Sequence, residues 1–197
     1  MAADPMARPD PLVRAATPAD APDLARFAEM ASDGLVLGFW AGLAEPGEDL
    51  LAVGARRAAR GEGAFSWRNA SVAELDGRVA GGLLAYPLPE VAEPTDGLPE
   101  MARPLVALEN LVPGSFYVNI LATHPRFRGR GVATTLLRAA ERLAGERPMS
   151  LIVAGGNDGA QRLYHRLGFV ERARRPIAGA GGVVAAGDWV LMLRPQA

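Results

Sequence analysis

The stretch HPRFRGRGVATTLL, residues 124–137, interleaves three arginines with Gly129 and Gly131 directly before a pattern typical of a helix. Backbone N–H groups at a helix start, together with the positive end of the helix dipole, bind anions. Glycine lets an anion approach the backbone closely, and arginine adds charge and bidentate phosphate geometry. The stretch therefore predicts a diphosphate site. On this stretch alone, a glycine-marked turn with solvated arginines is an equally good interpretation.

The composition excludes several other kinds of chemistry. The 197 residues include no cysteine and no lysine, so all 21 basic residues are arginine, and there are two histidines. This excludes a thiol nucleophile, a disulfide, a thiolate metal site, a lysine Schiff base and a lysine-containing phosphate loop. With two histidines, a multi-histidine metal site is not expected. A net charge of -1 does not indicate a nucleic-acid-binding face.

The hydrophobic segments indicate neither a membrane span nor a secretion signal. No window approaches the roughly 18 consecutive apolar residues of a membrane helix. The first residues, MAADPMARPD, lack the apolar stretch of a signal peptide. The sequence therefore predicts a cytoplasmic protein without a membrane partner.

The spacing of apolar residues predicts a mixed α/β domain. A favoured two-residue turn, Asp76-Gly77, joins two of its strands into a hairpin. The predicted strands are residues 11–17, 71–75, 78–86, 116–123, 149–154, 169–174 and 188–193. The first predicted helix opens at Thr17 and Pro18, and the others cover 49–60, 129–144 and 158–167.

Three segments fall outside this pattern. Residues 1–10 are rich in Pro, Ala and Asp, and we expect them to be mobile. Residues 87–114 are dense in proline and acid, which predicts an insertion or lid rather than regular core. A Gly/Ala-rich loop, residues 178–187, spans the last predicted hairpin.

Two motifs together resemble the GNAT superfamily of acyl-CoA-dependent N-acetyltransferases. Residues 126–131, RFRGRG, match the [QR]-x-x-G-x-[GA] motif of that family and follow a predicted strand that ends in LATHP. The second motif consists of Asn157, Ala160, Leu163-Tyr164 and Leu167-Gly168-Phe169. Either motif alone is weak. Both, in this order and at this separation, are specific, and they cover residues 116–170.

The resemblance implies one N-acetyltransferase domain over residues 1–197, with residues 87–114 as an insertion or lid near the acceptor cleft. It implies a splayed central mixed sheet of about six or seven strands flanked by about four helices. The implied activity is transfer of an acetyl group from acetyl-CoA to an amine of a small molecule or peptide, directly within a ternary complex and without a metal. Many members of the family dimerise, so a homodimer is expected.

The resemblance also implies roles for single residues. The coenzyme diphosphate would bind the N–H groups of Phe127, Arg128, Gly129, Arg130, Gly131 and Val132, with Arg126 also nearby. The free edge of the preceding strand would pair with the pantetheine arm through Leu121 and Thr123, where the family more often has valine at the second position. The Leu121 N–H would polarise the thioester carbonyl. Asn157 would bond to the pantetheine amide, and Tyr164 would protonate the leaving thiolate.

Other roles stay open for several of these residues. Tyr164 lies on the apolar stripe of its helix, so a packed core tyrosine is the alternative. Asn157 is also a candidate helix cap. His124 is predicted to be a turn residue rather than a base, and His165 is predicted to be solvated.

The resemblance does not identify the general base. Period-two alternation puts Tyr117, Asn119 and Leu121 on one face of their strand, so we expect Tyr117 and Asn119 to line the acceptor cleft. Glu109, just before that strand, is the candidate carboxylate. A water-mediated route, or an amine that arrives neutral, is an equally good alternative.

The acids of residues 87–114 favour a cationic acceptor such as a polyamine, an aminoglycoside or a basic peptide; they are Glu90, Glu93, Asp96, Glu100 and Glu109. A solvated acidic loop is the alternative. Two other functions are compatible with the sequence. One is a non-catalytic acyl-CoA-binding or sensor module, and the other is a small nucleotide-binding regulator.

Overall fold

The computed structural model of the chain describes residues 10–178 and 187–196. Of the segment expected to be mobile, residues 1–9 lie outside the described residues. Residues 179–186 of the predicted Gly/Ala-rich loop lie outside them as well.

One mixed sheet holds the strands of the described residues. They are β1 (Leu12–Ala15), β2 (Ala70–Leu75), β3 (Arg78–Pro87), β4 (Phe116–Thr123), β5 (Met149–Ala154), β6 (Val170–Pro176) and β7 (Asp188–Arg194). Their order in the sheet is β1-β2-β3-β4-β5-β7-β6. β4 and β5 run parallel, and the other neighbouring pairs are antiparallel. The predicted mixed α/β class with six or seven strands is confirmed.

Six helices flank this sheet in the described residues, two more than the sequence predicts. They are α1 (Ala21–Ala31), α2 (Leu35–Ala41), α3 (Leu50–Ala58), α4 (Arg103–Glu109), α5 (Val132–Ala144) and α6 (Asp158–Arg166). The predicted element order is wrong at α2 and α4, which it lacks. The α2 sequence, LVLGFWA, is apolar nearly throughout, so it has no polar face that would reveal a helical period.

The segment 87–114 contributes to the core, contrary to the expectation of an irregular insertion. Pro104 lies in the first turn of α4, where a helix tolerates proline because the missing N–H would have no partner there. Leu88, Leu108 and Val112 are buried in one apolar cluster with strand residues. A high proline content therefore obscured a short packed helix.

Helices cover both faces of the sheet. On one face, α5 and α6 pack over a cluster that includes Leu83, Val118, Leu136, Tyr164 and Phe169. On the other, α1 and α3 pack over Phe27, Val53, Leu84 and Ile120, and α2 and α4 pack over Leu108, Tyr117 and Trp189. Any gap between neighbouring strands of this sheet therefore lies between two helical layers.

β4 and β5 pair only at their beginnings. The paired residues are Phe116 with Met149, Tyr117 with Ser150 and Val118 with Leu151. The buried hydroxyls of Ser115 and Ser150 lie 2.7 Å apart beside this paired part. Beyond it the strands diverge, so the second half of β4 has an unpaired edge, as in the splayed sheet that the resemblance implies.

A bulge at Asn119 changes the direction in which β4 side chains point. The register with β3 shifts between the pairs Ala85–Val118 and Leu84–Ile120, which leaves Asn119 as the extra residue. Tyr117 packs on the α4 side of the sheet, whereas Leu121 packs on the α5 side. The prediction that Tyr117, Asn119 and Leu121 share one face is wrong, because the bulge interrupts the period-two alternation.

Candidate active site

The unpaired edge of β4 presents the backbone groups of Leu121 and Thr123. The His124 N–H donates to the Ala80 carbonyl at 2.8 Å, so His124 faces β3. Successive residues of an antiparallel strand direct their backbone groups to alternate sides. The backbone groups of Ala122 and Ile120 therefore also face β3. Leu121 and Thr123 face the gap between β4 and β5.

A tight turn connects this edge to α5. Gly129 and Gly131 have φ values of +73° and +78°, in the left-handed region that favours glycine. A Cβ added to either would meet no protein atom within 4 Å. Gly131 is the N-cap of α5, which begins at Val132 and not at the predicted Gly129. The turn therefore leaves open space at the positive end of α5, where an anion is stabilised.

The three arginines of the turn have different surroundings. Arg130 forms an ion pair with Asp76 at 2.7 Å, and this contact lowers the pKa of the Asp76 carboxyl. The guanidinium groups of Arg126 and Arg130 lie 5.3 Å and 5.8 Å from the centre of the buried Phe127 ring. Of the three, Arg128 lines the cleft described next.

A cleft of about 1100 Å³ follows the unpaired edge of β4. It brings together most of the predicted coenzyme residues: Leu121, Thr123, Phe127, Arg128, Gly129, Gly131, Val132, Asn157 and Tyr164. Arg126, Arg130 and Glu109 are not among its lining residues. Residues from both faces of the sheet contribute, so the cleft passes through the gap between β4 and β5.

Tyr164 is both a core residue and a cleft residue. Its side chain projects from α6, is 8% exposed and meets the Phe169 ring edge to face at 5.9 Å. Burial raises the pKa of its phenol to about 12, so the hydroxyl stays protonated near neutral pH. The two interpretations of Tyr164 are therefore compatible with each other.

Asn157 caps α6 from within the cleft. Its Oδ1 accepts the Ala160 N–H at 3.1 Å, as expected for a helix cap. Asn157 also lines the cleft, so a hydrogen bond to a ligand amide, its second predicted role, is compatible with the capping bond. His124 and His165 are both exposed, and Nδ1 of His165 lies 3.1 Å from the Phe169 carbonyl oxygen.

Glu109 ends α4 near the cleft without lining it. The pKa of its carboxyl is raised to about 7. Burial is the main cause, the neighbouring Tyr117 hydroxyl acts in the opposite direction, and the negative charge of Glu93 adds to the rise. The Tyr117 hydroxyl interacts with both Glu109 and Asn119. Asn119 lines the cleft as predicted, whereas the buried Tyr117 does not, and that part of the prediction is wrong. Glu109, Tyr117 and Asn119 therefore lie close together, and of the three Asn119 lines the cleft.

Gly81 of β3 sets how closely α5 approaches the sheet. A Cβ at this position would lie 2.6 Å from Cγ1 of Val132 and 2.7 Å from the carbonyl oxygen of Ala122. We expect Gly81→Ala to displace the start of α5 and to lower the free energy of unfolding by about 1–3 kcal/mol. Urea denaturation measures this change. A loss below about 0.5 kcal/mol, the usual range for a surface substitution, would show that the glycine is not needed.

Sequence reasoning missed two groups of residues in the cleft. Residues Met30–Asp33, at the end of α1, line it, and so does Trp189 of β7. No motif marks either group, because their position depends on how α1 packs against β4. Asp33 has a φ of +51°, which is uncommon for a residue other than glycine, but sequence alone does not reveal it.

No group of three or more His, Asp or Glu side chains within residues 10–178 and 187–196 is placed to hold a metal ion. Over the same residues, no helix is both long and apolar enough to span a membrane.

Solved structures with the same fold include acetyltransferases. One acetyltransferase structure has a TM-score of 0.66 at 23% identity, covering 94% of this chain and 100% of its own. An N-acetyltransferase from Staphylococcus aureus Mu50 has a TM-score of 0.64 at 20% identity, covering 92% and 99%. A putative acetyltransferase from Salmonella typhimurium, solved with its cofactor acetyl-CoA, has a TM-score of 0.56 at 20% identity, covering 95% and 94%. At these identities the likeness establishes the fold.

The family follows from the sequence. Residues 56–169, more than half of the chain, match the sequence model of the acetyltransferase (GNAT) family. No curated protein matches the chain significantly. The chain belongs to the GNAT acetyltransferase family and is an acyltransferase, as the two motifs predict.

Proposed function

We propose that the protein transfers the acetyl group of acetyl-CoA directly to an amine of a small molecule or peptide within a ternary complex. The observation that carries this proposal is the continuity of one cleft from the unpaired edge of β4 to the glycine turn at the start of α5. Family membership, and the acetyl-CoA in the Salmonella typhimurium structure, support acetyl-CoA as the donor.

The donor fits this cleft in an extended form. The diphosphate would accept hydrogen bonds from the N–H groups of residues 127–132, with Arg128 supplying positive charge. The pantetheine arm would add to the free edge of β4 through Leu121 and Thr123, as an extended ligand adds to a sheet. Asn157 would bond to a pantetheine amide through the side-chain atoms that are not engaged in capping α6.

In the proposed reaction, the amine nitrogen attacks the thioester carbonyl carbon. The Leu121 N–H would donate to the carbonyl oxygen as negative charge develops there, and one such donor contributes ~2.7–4 kcal/mol. The C–N bond forms, the C–S bond breaks, and the electron pair of that bond passes to sulfur. The products are an amide and coenzyme A after one proton has left nitrogen and one has reached sulfur.

Tyr164 would supply the proton that reaches sulfur. Its pKa of about 12 lies well above the value of about 8.5 for a thiol, so complete proton transfer is uphill even to the released thiolate. Tyr164 would therefore stabilise the sulfur by donating a hydrogen bond as the C–S bond breaks, and the transfer would be completed as solvent returns a proton to the phenolate. The same high pKa keeps the acid form populated at every pH the enzyme meets.

Glu109 would receive the proton that leaves nitrogen. Its carboxyl lies beside the Tyr117 hydroxyl and has a pKa of about 7, suited to a general base. A water molecule held near Asn119 would carry the proton from the amine to this pair. A water chain or an amine that arrives neutral remains the alternative. The two routes predict different dependences of the rate on pH.

We expect kcat/KM of the wild-type enzyme to rise as pH increases through about 7, because a base acts in its ionised form. Glu109→Gln should lower kcat/KM by about a hundredfold and remove this rise. A pH profile with a freely basic amine acceptor measures both effects. If the variant keeps the same profile and rate, the base is water or none is needed.

The same substitution makes a prediction about stability. The folded pKa of Glu109, about 7, lies above its ordinary value, so the folded protein binds a proton more tightly than the unfolded chain. Its contribution to stability is therefore present at low pH and is lost as pH rises toward about 7. Thermal unfolding over this range should show the loss in the wild type and a smaller loss in Glu109→Gln. An equal pH dependence would place Glu109 in solvent.

The experiment that tests the proposed function is a thiol-release assay. The chain has no cysteine, so every thiol that appears during the reaction is coenzyme A. Purified protein is incubated with acetyl-CoA and a panel of amines, and acetylated products are identified by mass spectrometry. Amine-dependent thiol release supports transfer. Saturable acetyl-CoA binding without release from any amine would favour the acyl-CoA sensor instead.

We further propose that the protein acts in the cytoplasm as a homodimer, as the family resemblance implies. Light scattering during gel filtration measures the oligomeric state. A mass of one chain at micromolar concentration would contradict the dimer.

A further inference from the structure

The two ends of the cleft lie on opposite faces of the sheet. The glycine turn and α6 occupy the face on which the donor would bind. The other face of the cleft is lined by the end of α1, by Ile152 and Ala154 of β5, and by Ile177 and Trp189.

Asp33 is the one acidic residue among the described residues that line the cleft. The charged lining residues besides it are Arg128 and Arg166, on the donor face. Asp33 is exposed and forms no ion pair within the described residues. None of the residues 87–114 lines the cleft, so Asp33, rather than the acids of that segment, is placed to meet an acceptor.

Trp189 supplies an unused hydrogen-bond donor in the same region. Its side chain is nine-tenths buried, and its indole Nε1 has no hydrogen-bond partner among the described residues. Buried donors are nearly always paired in folded proteins, and an unpaired one needs an explanation. Nε1 itself has almost no solvent contact, so a ligand oxygen that lies against this wall of the cleft would pair it after a small movement of the Trp189 side chain.

We infer that the acceptor is a dibasic amine whose linker carries a hydroxyl or carbonyl oxygen. The identification of this ligand as the acceptor rests on the proposed acetyl transfer. The reacting amine must be neutral to attack, so the cation that Asp33 binds is the second ammonium of the same molecule. The linker lies along the apolar Ile152, Ala154 and Ile177, and its oxygen accepts from the Trp189 indole N–H.

The test compares straight-chain diamines of four to six carbons with monoamines of equal length, and diaminopropanol with diaminopropane. Calorimetry measures binding of each probe to the protein saturated with coenzyme A, at moderate salt. Thiol release from acetyl-CoA is measured separately for each probe. Because binding is measured without turnover, the inference and the proposed function fail in different experiments.

Asp33→Asn removes the charge and keeps the backbone, since asparagine tolerates a positive φ. Asp23→Asn, in the first turn of α1 and outside the cleft, makes the same change of net charge and serves as the matched control. Trp189→Phe removes the indole donor and keeps an aromatic ring.

We expect diamines to bind about twofold to fivefold more tightly than monoamines, as for an ion pair at an exposed carboxylate. Asp33→Asn should abolish this preference and Asp23→Asn should keep it. The hydroxyl of diaminopropanol should strengthen binding in the wild type and not in Trp189→Phe. Equal binding of diamines and monoamines, or an unchanged preference in Asp33→Asn, would overturn the inference. Selective binding without thiol release would support a diamine site at Asp33 and contradict acetyl transfer, and with it the role of the diamine as acceptor.

Discussion

Replacing Gly129 with glutamate should abolish saturable acetyl-CoA binding, with a loss of affinity of about a hundredfold or more. Gly129 lines the cleft, and a side chain there would point into space that no protein atom occupies. In the proposed complex that space holds the diphosphate. The glutamate would displace the anion, repel it, and disturb the N–H groups that bind it. Calorimetric titration measures the change, with ATP and NAD as comparison ligands.

Gly47→Glu is the matched control for this variant. Gly47 has a φ of +80°, has no atom within 4 Å of an added Cβ, and lies outside the cleft. Gly47→Glu therefore introduces backbone strain of about 1–3 kcal/mol, as Gly129→Glu does, but it leaves the cleft unchanged. We expect Gly47→Glu to bind acetyl-CoA as the wild type does. Equal affinity of Gly129→Glu and wild type, or equal binding of acetyl-CoA, ATP and NAD, would contradict a coenzyme diphosphate at the turn.

The second large effect is expected from Tyr164→Phe. Loss of the hydroxyl should lower kcat by about a hundredfold, within the usual range for a general acid. The dissociation constant of acetyl-CoA should change by less than about twofold, because the ring that packs against Phe169 is retained. Steady-state kinetics with the best acceptor of the amine panel, together with calorimetry, separate these two effects.

Tyr86→Phe is the control for the loss of a half-buried tyrosine hydroxyl outside the cleft. Burial raises the pKa of Tyr86 too, and its ring meets Tyr117 edge to face at 5.9 Å, but it does not line the cleft. We expect its kcat to stay within about threefold of wild type. If Tyr164→Phe keeps full kcat across the pH range, another group or water protonates the thiolate.

The elements that carry the coenzyme motifs are the ones that sequence predicts well. β4 and β5 have the predicted bounds, residues 116–123 and 149–154. Their apolar runs are bounded by turn residues, and the two glycines that follow β4 mark a tight connection to a helix. Local sequence therefore determines the side of the cleft on which we propose that the donor binds.

The side of the cleft on which we propose that the acceptor binds depends on contacts between distant parts of the chain. The bulge at Asn119 arises from the pairing of β4 with β3, and no residue type marks it in the sequence. Trp189 and Asp33 come close to the same cleft through the packing of α1, α2 and α4 on the sheet. The composition of residues 87–114 predicts that their acids meet the acceptor, but none of these residues lines the cleft, whereas Asp33 does.

A crystal structure of the protein with acetyl-CoA would give the distance between the Leu121 nitrogen and the thioester carbonyl oxygen. We expect an extended pantetheine arm beside the free edge of β4, the diphosphate on the turn at residues 127–132, and a nitrogen–oxygen distance of about 2.7–3.2 Å. A thioester that lies elsewhere, or a diphosphate bound away from the turn, would contradict this arrangement.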